Sequence, residues 1–267
     1  MPKKKKKNSV PRELRNLAVR FRDHEGISPN SLHRWVRQWG PAGAALAGKV
    51  LRETRFYSAR DIRDMLRQLV NRVYQHVGNV PPARVAFVPA GRPFSGASVL
   101  GRALRDTNGV HRNQIRTVSE VLQAADGEIQ VAVFVEDFSG TGSTLESWWY
   151  TIEPAILPKV PVVIFGLLLL NFAARPKLEQ FTAQVIRVQE LTAADNVLSG
   201  ESAVFEPEEK ALLLQYCDRT QCAQKYRRGF GDCGLLVAFK HFCPNNSLPI
   251  LWCRSAQWRN LFKRTAI

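Results

Sequence analysis

The chain has 267 residues, 45% of them hydrophobic, and a formal net charge of +15. The hydrophobic content excludes global disorder, and the longest apolar run, residues 162–170, is shorter than the roughly 20 residues that a membrane span needs. The five cysteines are odd in number and lack zinc-knuckle spacing, so we expect buried thiols in a reducing cytoplasm. No apolar stretch follows the basic residues 3–7, so we expect no signal peptide.

The positive charge is concentrated at the N-terminal end. Residues 1–80 hold 18 Lys and Arg against 6 Asp and Glu, a net charge of +12, whereas residues 81–267 hold 20 against 17, a net charge of +3. A basic segment beside a nearly neutral domain indicates a nucleic-acid or nucleoprotein partner, or else a solvated surface that aids solubility. The sequence leaves both interpretations open.

Residues 1–10 are predicted to form a disordered basic tail and residues 11–80 a basic helical segment. Ser28 and Pro29 suit the start of one helix, and Ser58 with Asp61 forms a capping box before apolar residues at helical spacing up to Val77. Such helices could form a helix-turn-helix module on a phosphate backbone or a cap packed on a sheet. The wide apolar faces favour the cap.

A buried strand is predicted at residues 84–88, followed by a glycine-containing turn that begins at Ala90 and a helix at residues 97–105. Residues 109–128 are polar and include Arg112 and Arg116. The turn and the polar stretch lie between this strand and the most informative part of the chain.

Residues 131–144 read VAVFVEDFSGTGST. Five apolar residues predict a buried strand, and Glu136 and Asp137 follow at its carboxyl end, where open α/β sheets bind ligands. The small, hydroxyl-bearing turn then opens a helix, an arrangement that directs backbone N–H groups and the positive end of the helix dipole at one anion. Two acids beside a phosphate pocket suggest ribose hydroxyls, a hydrated metal ion, or both.

Further strands are predicted at residues 160–170, 184–188 and 234–239, with a helix at 206–216. The alternation of strands and helices indicates an α/β fold, with a mostly parallel sheet and helices on both faces, over residues 81–267. The loop after the last strand contains Asn245 and Asn246, whose side chains can bond backbone or ligand. We take them as a candidate site loop.

The stretch at 131–144 lacks the lysine of a Walker A loop and the glycine spacing of a dinucleotide fingerprint. It resembles the phosphoribosyl-diphosphate (PRPP) motif of the type I phosphoribosyltransferases. The resemblance implies that Glu136 and Asp137 are catalytic, binding the ribose hydroxyls directly or through Mg²⁺, the implied cofactor. It also implies a binding site for the 5-phosphate formed by Ser139, Gly140, Thr141, Gly142, Ser143 and Thr144.

The same resemblance assigns the turn after the first core strand to the pyrophosphate, which would lie against Ala90, Gly91, Arg92 and Ser95. An arginine suits a diphosphate because its planar fork bonds it bidentately. A flexible loop that closes over the substrate is implied in residues 109–128, with Arg112 or Arg116 completing the charges.

Residues 30–264, and the stretch PNNSLPILW in particular, resemble a divergent phosphoribosyltransferase-like group of bacterial conflict and antiphage defence systems, some of them retron-associated. The resemblance implies an enzyme acting at C1 of the ribose of PRPP or a related nucleotide: a pentosyltransferase or a related glycosidic-bond enzyme. A non-catalytic nucleotide sensor and a nucleic-acid-associated effector docking through residues 1–80 remain alternatives. The acceptor and the oligomeric state stay open.

Overall fold

The computed structural model of the chain describes residues 10–90, 97–107 and 109–264. All of the predicted basic tail except Val10 lies outside the described residues. Gly91, Arg92 and Ser95, predicted to bind pyrophosphate, also lie outside them, and Ala90 is the last described residue before that turn. Within the described ranges, no helix is both long and apolar enough to span a bilayer.

The helices alternate with the strands over most of the chain. Ten α-helices are described: α1 (Arg12–Arg20), α2 (Pro29–Arg37), α3 (Gly40–Glu53), α4 (Ala59–Val77), α5 (Ala97–Arg105), α6 (Val118–Gln123), α7 (Ser143–Ile156), α8 (Arg175–Leu178), α9 (Pro207–Arg219) and α10 (Pro249–Trp252). The strands are β1 (Arg55–Tyr57), β2 (Val85–Pro89), β3 (Val131–Ser139), β4 (Val162–Asn171), β5 (Gln184–Leu191) and β6 (Val237–Phe239).

The main sheet has four strands in the order β2-β3-β4-β5, and every pair is parallel. A second, two-stranded parallel sheet joins β1 to β6. Parallel neighbours need crossover connections. Helices α5 and α6 lie between β2 and β3 in the chain, α7 lies between β3 and β4, and α8 lies between β4 and β5. The structure confirms the predicted α/β class, with its parallel sheet and preceding helical segment.

Two hydrophobic cores cover the two faces of the main sheet. On one face, α4 and α5 pack on residues such as Phe87 and Val133, and on the other face α6, α7 and α8 pack on residues such as Phe134 and Phe165. Gly166 lets α4 approach closely, since a Cβ there would lie 2.9 Å from a methyl carbon of Leu69. Helix α4 therefore caps the sheet, as its apolar face indicated.

The local signals for helix starts are confirmed. The Ser28 hydroxyl accepts a hydrogen bond from the Ser31 amide (3.1 Å) at the start of α2. The Ser58 hydroxyl accepts one from the Asp61 amide (3.2 Å) at the start of α4. Each bond satisfies an amide that the first helical turn would leave without a partner.

A third core joins the N-terminal helices to the C-terminal part of the chain. Helices α1, α2 and α3 pack with α9, α10 and the residues after them, around a cluster of Trp35, Trp39, Tyr216 and Trp258. The Tyr216 hydroxyl donates to the Trp39 carbonyl at 2.6 Å. Hydrophobic contacts thus join both sides of residue 80, the domain boundary predicted from composition.

Candidate functional site

The two acids lie at the carboxyl end of an interior strand, as predicted. Strand β3 ends at Ser139, and α7 begins four residues later at Ser143. Ala90, which directly follows β2, lies beside this part of β3, because its amide donates to the Val135 carbonyl at 2.8 Å. The chain segment that leads into residues 91–96 is therefore in contact with the strand that carries the acids.

Asp137 is held by a histidine from a distant part of the chain. Its Oδ2 atom lies 2.7 Å from His241 Nε2, and only 6% of Asp137 is exposed. His241 follows β6 and contacts the rings of Phe239 and Phe242, which fix its position. Its other ring nitrogen, Nδ1, is buried and has no hydrogen-bond partner among the described residues.

Glu136 lacks any comparable partner. Its Oε2 atom is buried and accepts no hydrogen bond from the described residues. Burial, and next to it the negative charge of Asp137, raises the pKa of Glu136 to about 8. The side chain is therefore mostly protonated at neutral pH. A buried carboxyl oxygen without a partner is costly, so this atom is available to a water molecule or a ligand.

The turn after β3 has the geometry expected of an anion site at a helix start. Gly142 has a φ of +75°, a left-handed conformation that favours glycine, and no side chain caps the first turn of α7. The Thr141 and Ser143 hydroxyls lie 3.1 Å apart. The uncapped amides and these hydroxyls face the same end of the helix, where its dipole favours a negative charge.

A lysine from α8 adds positive charge to this helix start. Lys177 Nζ lies 3.1 Å from the Ser143 hydroxyl and 2.6 Å from a carboxylate oxygen of Glu146. Its β-carbon would also lie 3.3 Å from a Cβ placed on Gly142. Lys177 was missed in the sequence because it lies in an unremarkable basic stretch more than 30 residues away from the motif.

Part of the turn is covered by the C-terminal loop. A Cβ on Gly140 would lie 2.2 Å from Asn246 Oδ1, and the Gly140 carbonyl accepts a hydrogen bond from Asn171 Nδ2 at 3.1 Å. Asn246 Nδ2 in turn donates to the Phe230 carbonyl at 2.9 Å. At this position the absence of a side chain makes room for Asn246, and phosphate binding by residues 139–144 stays a prediction.

The loop that carries Asn245 and Asn246 therefore does reach the turn after β3. Asn246 is buried against it, whereas Asn245 supplies its carbonyl to the Phe230 amide (2.8 Å). Cys233 joins this network, since Asn171 Nδ2 lies 3.2 Å from its sulfur. The candidate site loop thus acts on the turn as a structural support.

Arg112 and Arg116 lie in the segment that runs beside β2. The Arg116 guanidinium donates to the Asn113 carbonyl (2.7 Å) and to Glu128 (3.2 Å), and Arg112 is exposed. These contacts point Arg116 towards its own loop. A closing role for either arginine stays a prediction.

The residues present fit Mg²⁺ only together with a substrate. The described residues contain no cluster of three or more His, Cys, Asp or Glu that could hold a metal ion. Mg²⁺ usually keeps several waters and binds through one or two carboxylates plus substrate phosphates. The unpartnered oxygen of Glu136, next to Asp137, fits that mode.

A parallel sheet with two acids and a glycine turn at the end of an interior strand defines an α/β protein of the phosphoribosyltransferase type. The chain belongs to the PRTase-CE family, whose model matches residues 32–264. This family assignment supports a phosphoribosyltransferase-like function.

Two kinds of solved structure are similar to about half of the chain. A hypothetical protein from Neisseria gonorrhoeae with bound ppGpp is 12% identical, with a TM-score of 0.37 over 52% of this chain and 85% of the other. Hypoxanthine phosphoribosyltransferase from Trypanosoma cruzi, in complex with its product IMP, is 18% identical, with a TM-score of 0.30 over 52% and 80%. None of the curated proteins matches the chain.

Proposed function

We propose that this protein is a phosphoribosyltransferase-like enzyme that binds PRPP, or a related ribose-phosphate nucleotide, with Mg²⁺ and acts at C1 of the ribose. The observation that carries the proposal is the acid pair. Asp137 is oriented by His241 at 2.7 Å, and the adjacent Glu136 has a buried oxygen without a partner among the described residues. Both supply acceptors for ribose hydroxyls.

Each part of the site then has a separate task. Asp137 accepts a ribose hydroxyl in an orientation that His241 fixes, and Glu136 accepts or donates at the neighbouring hydroxyl because its raised pKa leaves both forms accessible. The first turn of α7, with Ser143 and Lys177, holds the 5-phosphate. When bound, Mg²⁺ would neutralise charge on the leaving diphosphate.

Calorimetry with PRPP and Mg²⁺ tests the binding step, and diphosphate release in a panel of candidate acceptors tests turnover. We expect wild type to bind and Asp137→Asn to lose at least about 100-fold in kcat/KM. Asp106→Asn is the matched control, since Asp106 is exposed, directly follows α5 and makes no described ion pair. The control should behave as wild type.

The two assays separate the candidate functions. Binding that depends on Asp137 but without any release of diphosphate would favour the nucleotide-sensing alternative. Absence of heat in wild type would contradict the enzyme and the sensor together. Equal losses in Asp137→Asn and Asp106→Asn would show that the acid pair has no special role.

An effector role in antiphage defence is the biological setting that the sequence resemblance implies. Plaque counts on cells carrying the intact system should rise when Asp137→Asn replaces wild type and stay low with Asp106→Asn. Plaque counts that do not depend on Asp137 would contradict this setting without bearing on the enzyme's chemistry.

A further inference from the structure

A cavity of about 400 Å³ lies between α2 and the chain that follows α10. Three arginines line it: Arg34 of α2, and Arg254 and Arg259 after α10. No acidic residue is part of the lining, and none of the three arginines makes an ion pair within the described residues. We call residues 31–35 and 254–260, which form this surface, the arginine groove.

The sequence makes the local charge one-sided. Residues 26–52 contain four Lys and Arg and no Asp or Glu, and residues 233–267 contain five and none. The arginine groove lies where these two acid-free stretches meet. Its positive potential is therefore not balanced by either of the segments that build it.

Some basic residues of the same two stretches that lie outside the arginine groove form ion pairs. Lys49 pairs with Glu209 at 2.5 Å, and Lys263 pairs with Glu25 at 2.7 Å. Arg52 pairs with Glu13 at 2.5 Å. The chain thus supplies acids from other segments around the third core but supplies none to the arginine groove.

The side-chain N–H groups of Trp35, Trp258 and Asn260 in the groove lining donate within the chain. The indole N–H groups of Trp35 and Trp258 both donate to the Ile250 carbonyl, at 3.2 and 3.0 Å. Asn260 Nδ2 donates to the Phe262 carbonyl at 2.9 Å. Both indole rings are buried, so they offer no face for stacking, and the exposed guanidinium groups are the charged contacts of the groove.

We propose that the arginine groove binds the phosphodiester backbone of a nucleic acid without sequence preference. Guanidinium forks match phosphate oxygens bidentately, and phosphate contacts carry no base information. The three arginines are exposed, so water and salt would weaken binding of a single phosphate. A polyanion that engages all three at once releases several counterions and binds far more strongly.

Binding of a labelled single-stranded DNA of mixed sequence to the full chain tests the proposal, measured by anisotropy between about 50 and 200 mM salt. The test variant is Arg34→Gln/Arg254→Gln/Arg259→Gln. The control is Arg15→Gln/Arg63→Gln/Arg84→Gln, which removes the same charge from exposed arginines that lie outside the arginine groove and make no described ion pair. Thermal unfolding checks that both variants are folded.

The groove variant should bind at least about tenfold more weakly and lower the slope of log K against log salt by about 2, since single strands give about 0.7 per phosphate contact. The control should stay within about twofold of wild type. Equal losses in both triple variants would overturn the proposal, because net charge alone would explain them. Tighter binding of a polyglutamate peptide than of DNA would overturn it too, since the groove would then serve an acidic protein.

Discussion

Replacing Glu136 by Gln should remove a pH-dependent cost from the folded protein. The carboxyl is buried beside Asp137, and its pKa rises from 4.5 to about 8 on folding. Between these values the folded state holds a proton that the unfolded state has lost. The free energy of unfolding of wild type should therefore fall as the pH rises from about 4.5 to about 8 and level off above it.

The size of the effect follows from the shift. One pKa unit corresponds to about 1.4 kcal/mol, so the full shift sets an upper limit of about 5 kcal/mol. Glu136 as a whole residue is partly exposed although its Oε2 atom is buried, so we expect the penalty to be smaller than this limit. We expect Glu136→Gln to be more stable than wild type by about 2 kcal/mol at pH 9, and nearly equal in stability at pH 5.

Urea unfolding followed by fluorescence, repeated from pH 5 to pH 9, measures this difference. Glu201→Gln is the matched control, because Glu201 is exposed and makes no described ion pair. If the free energies of unfolding of wild type and Glu136→Gln differ by the same amount at every pH, the argument is refuted. The carboxyl would then not be held in a protonated state.

The same group links stability to the proposed function. A ligand that binds the ionised form of Glu136, such as hydrated Mg²⁺ with PRPP, must displace its proton near pH 7. Calorimetry in buffers of different ionisation enthalpy should then detect release of about one proton on binding. Binding without proton release would show that the ligand does not bind the ionised form of Glu136.

Other predictions concern the contacts around this site. Gly140→Ala should lower the free energy of unfolding in urea by about 1–3 kcal/mol, because its methyl group would overlap Asn246. Adding Asn246→Ala should recover part of this loss, and additive losses would contradict the overlap. His241→Leu should cost about 1–3 kcal/mol and weaken PRPP binding because it leaves the buried Asp137 carboxylate without its described partner, and unchanged values in both assays would argue against the pair. Ser58→Ala should cost about 1 kcal/mol by removing the cap of α4, as a lowered melting temperature would show.

Much of the fold follows from local patterns. The capping serines, the apolar spacing of α4 and the buried run before Glu136 each depend on neighbours within a few residues, so they can be recognised without a structure. The order of strands and helices then predicted the parallel sheet correctly. The acid pair was found for the same reason, because its neighbours in sequence are its neighbours in space.

The contacts that complete the site join residues far apart in the chain. His241 reaches Asp137 across 104 positions, Asn246 fills the space above Gly140, and Lys177 approaches the start of α7 from the following helix. No periodicity or spacing encodes such pairs, because packing of β6 and its loop against the sheet brings them together.

The basic helical segment shows the same difference between what local sequence predicts and what tertiary packing decides. Composition established its positive charge, and capping residues with apolar spacing predicted its helices, since both depend only on the residues and their near neighbours. That α1, α2 and α3 would pack with the C-terminal part, and so place Arg34 beside Arg254 and Arg259, depended on which apolar faces meet. Apolar burial is non-directional, so the sequence states that a face will be covered and only the tertiary structure decides by what.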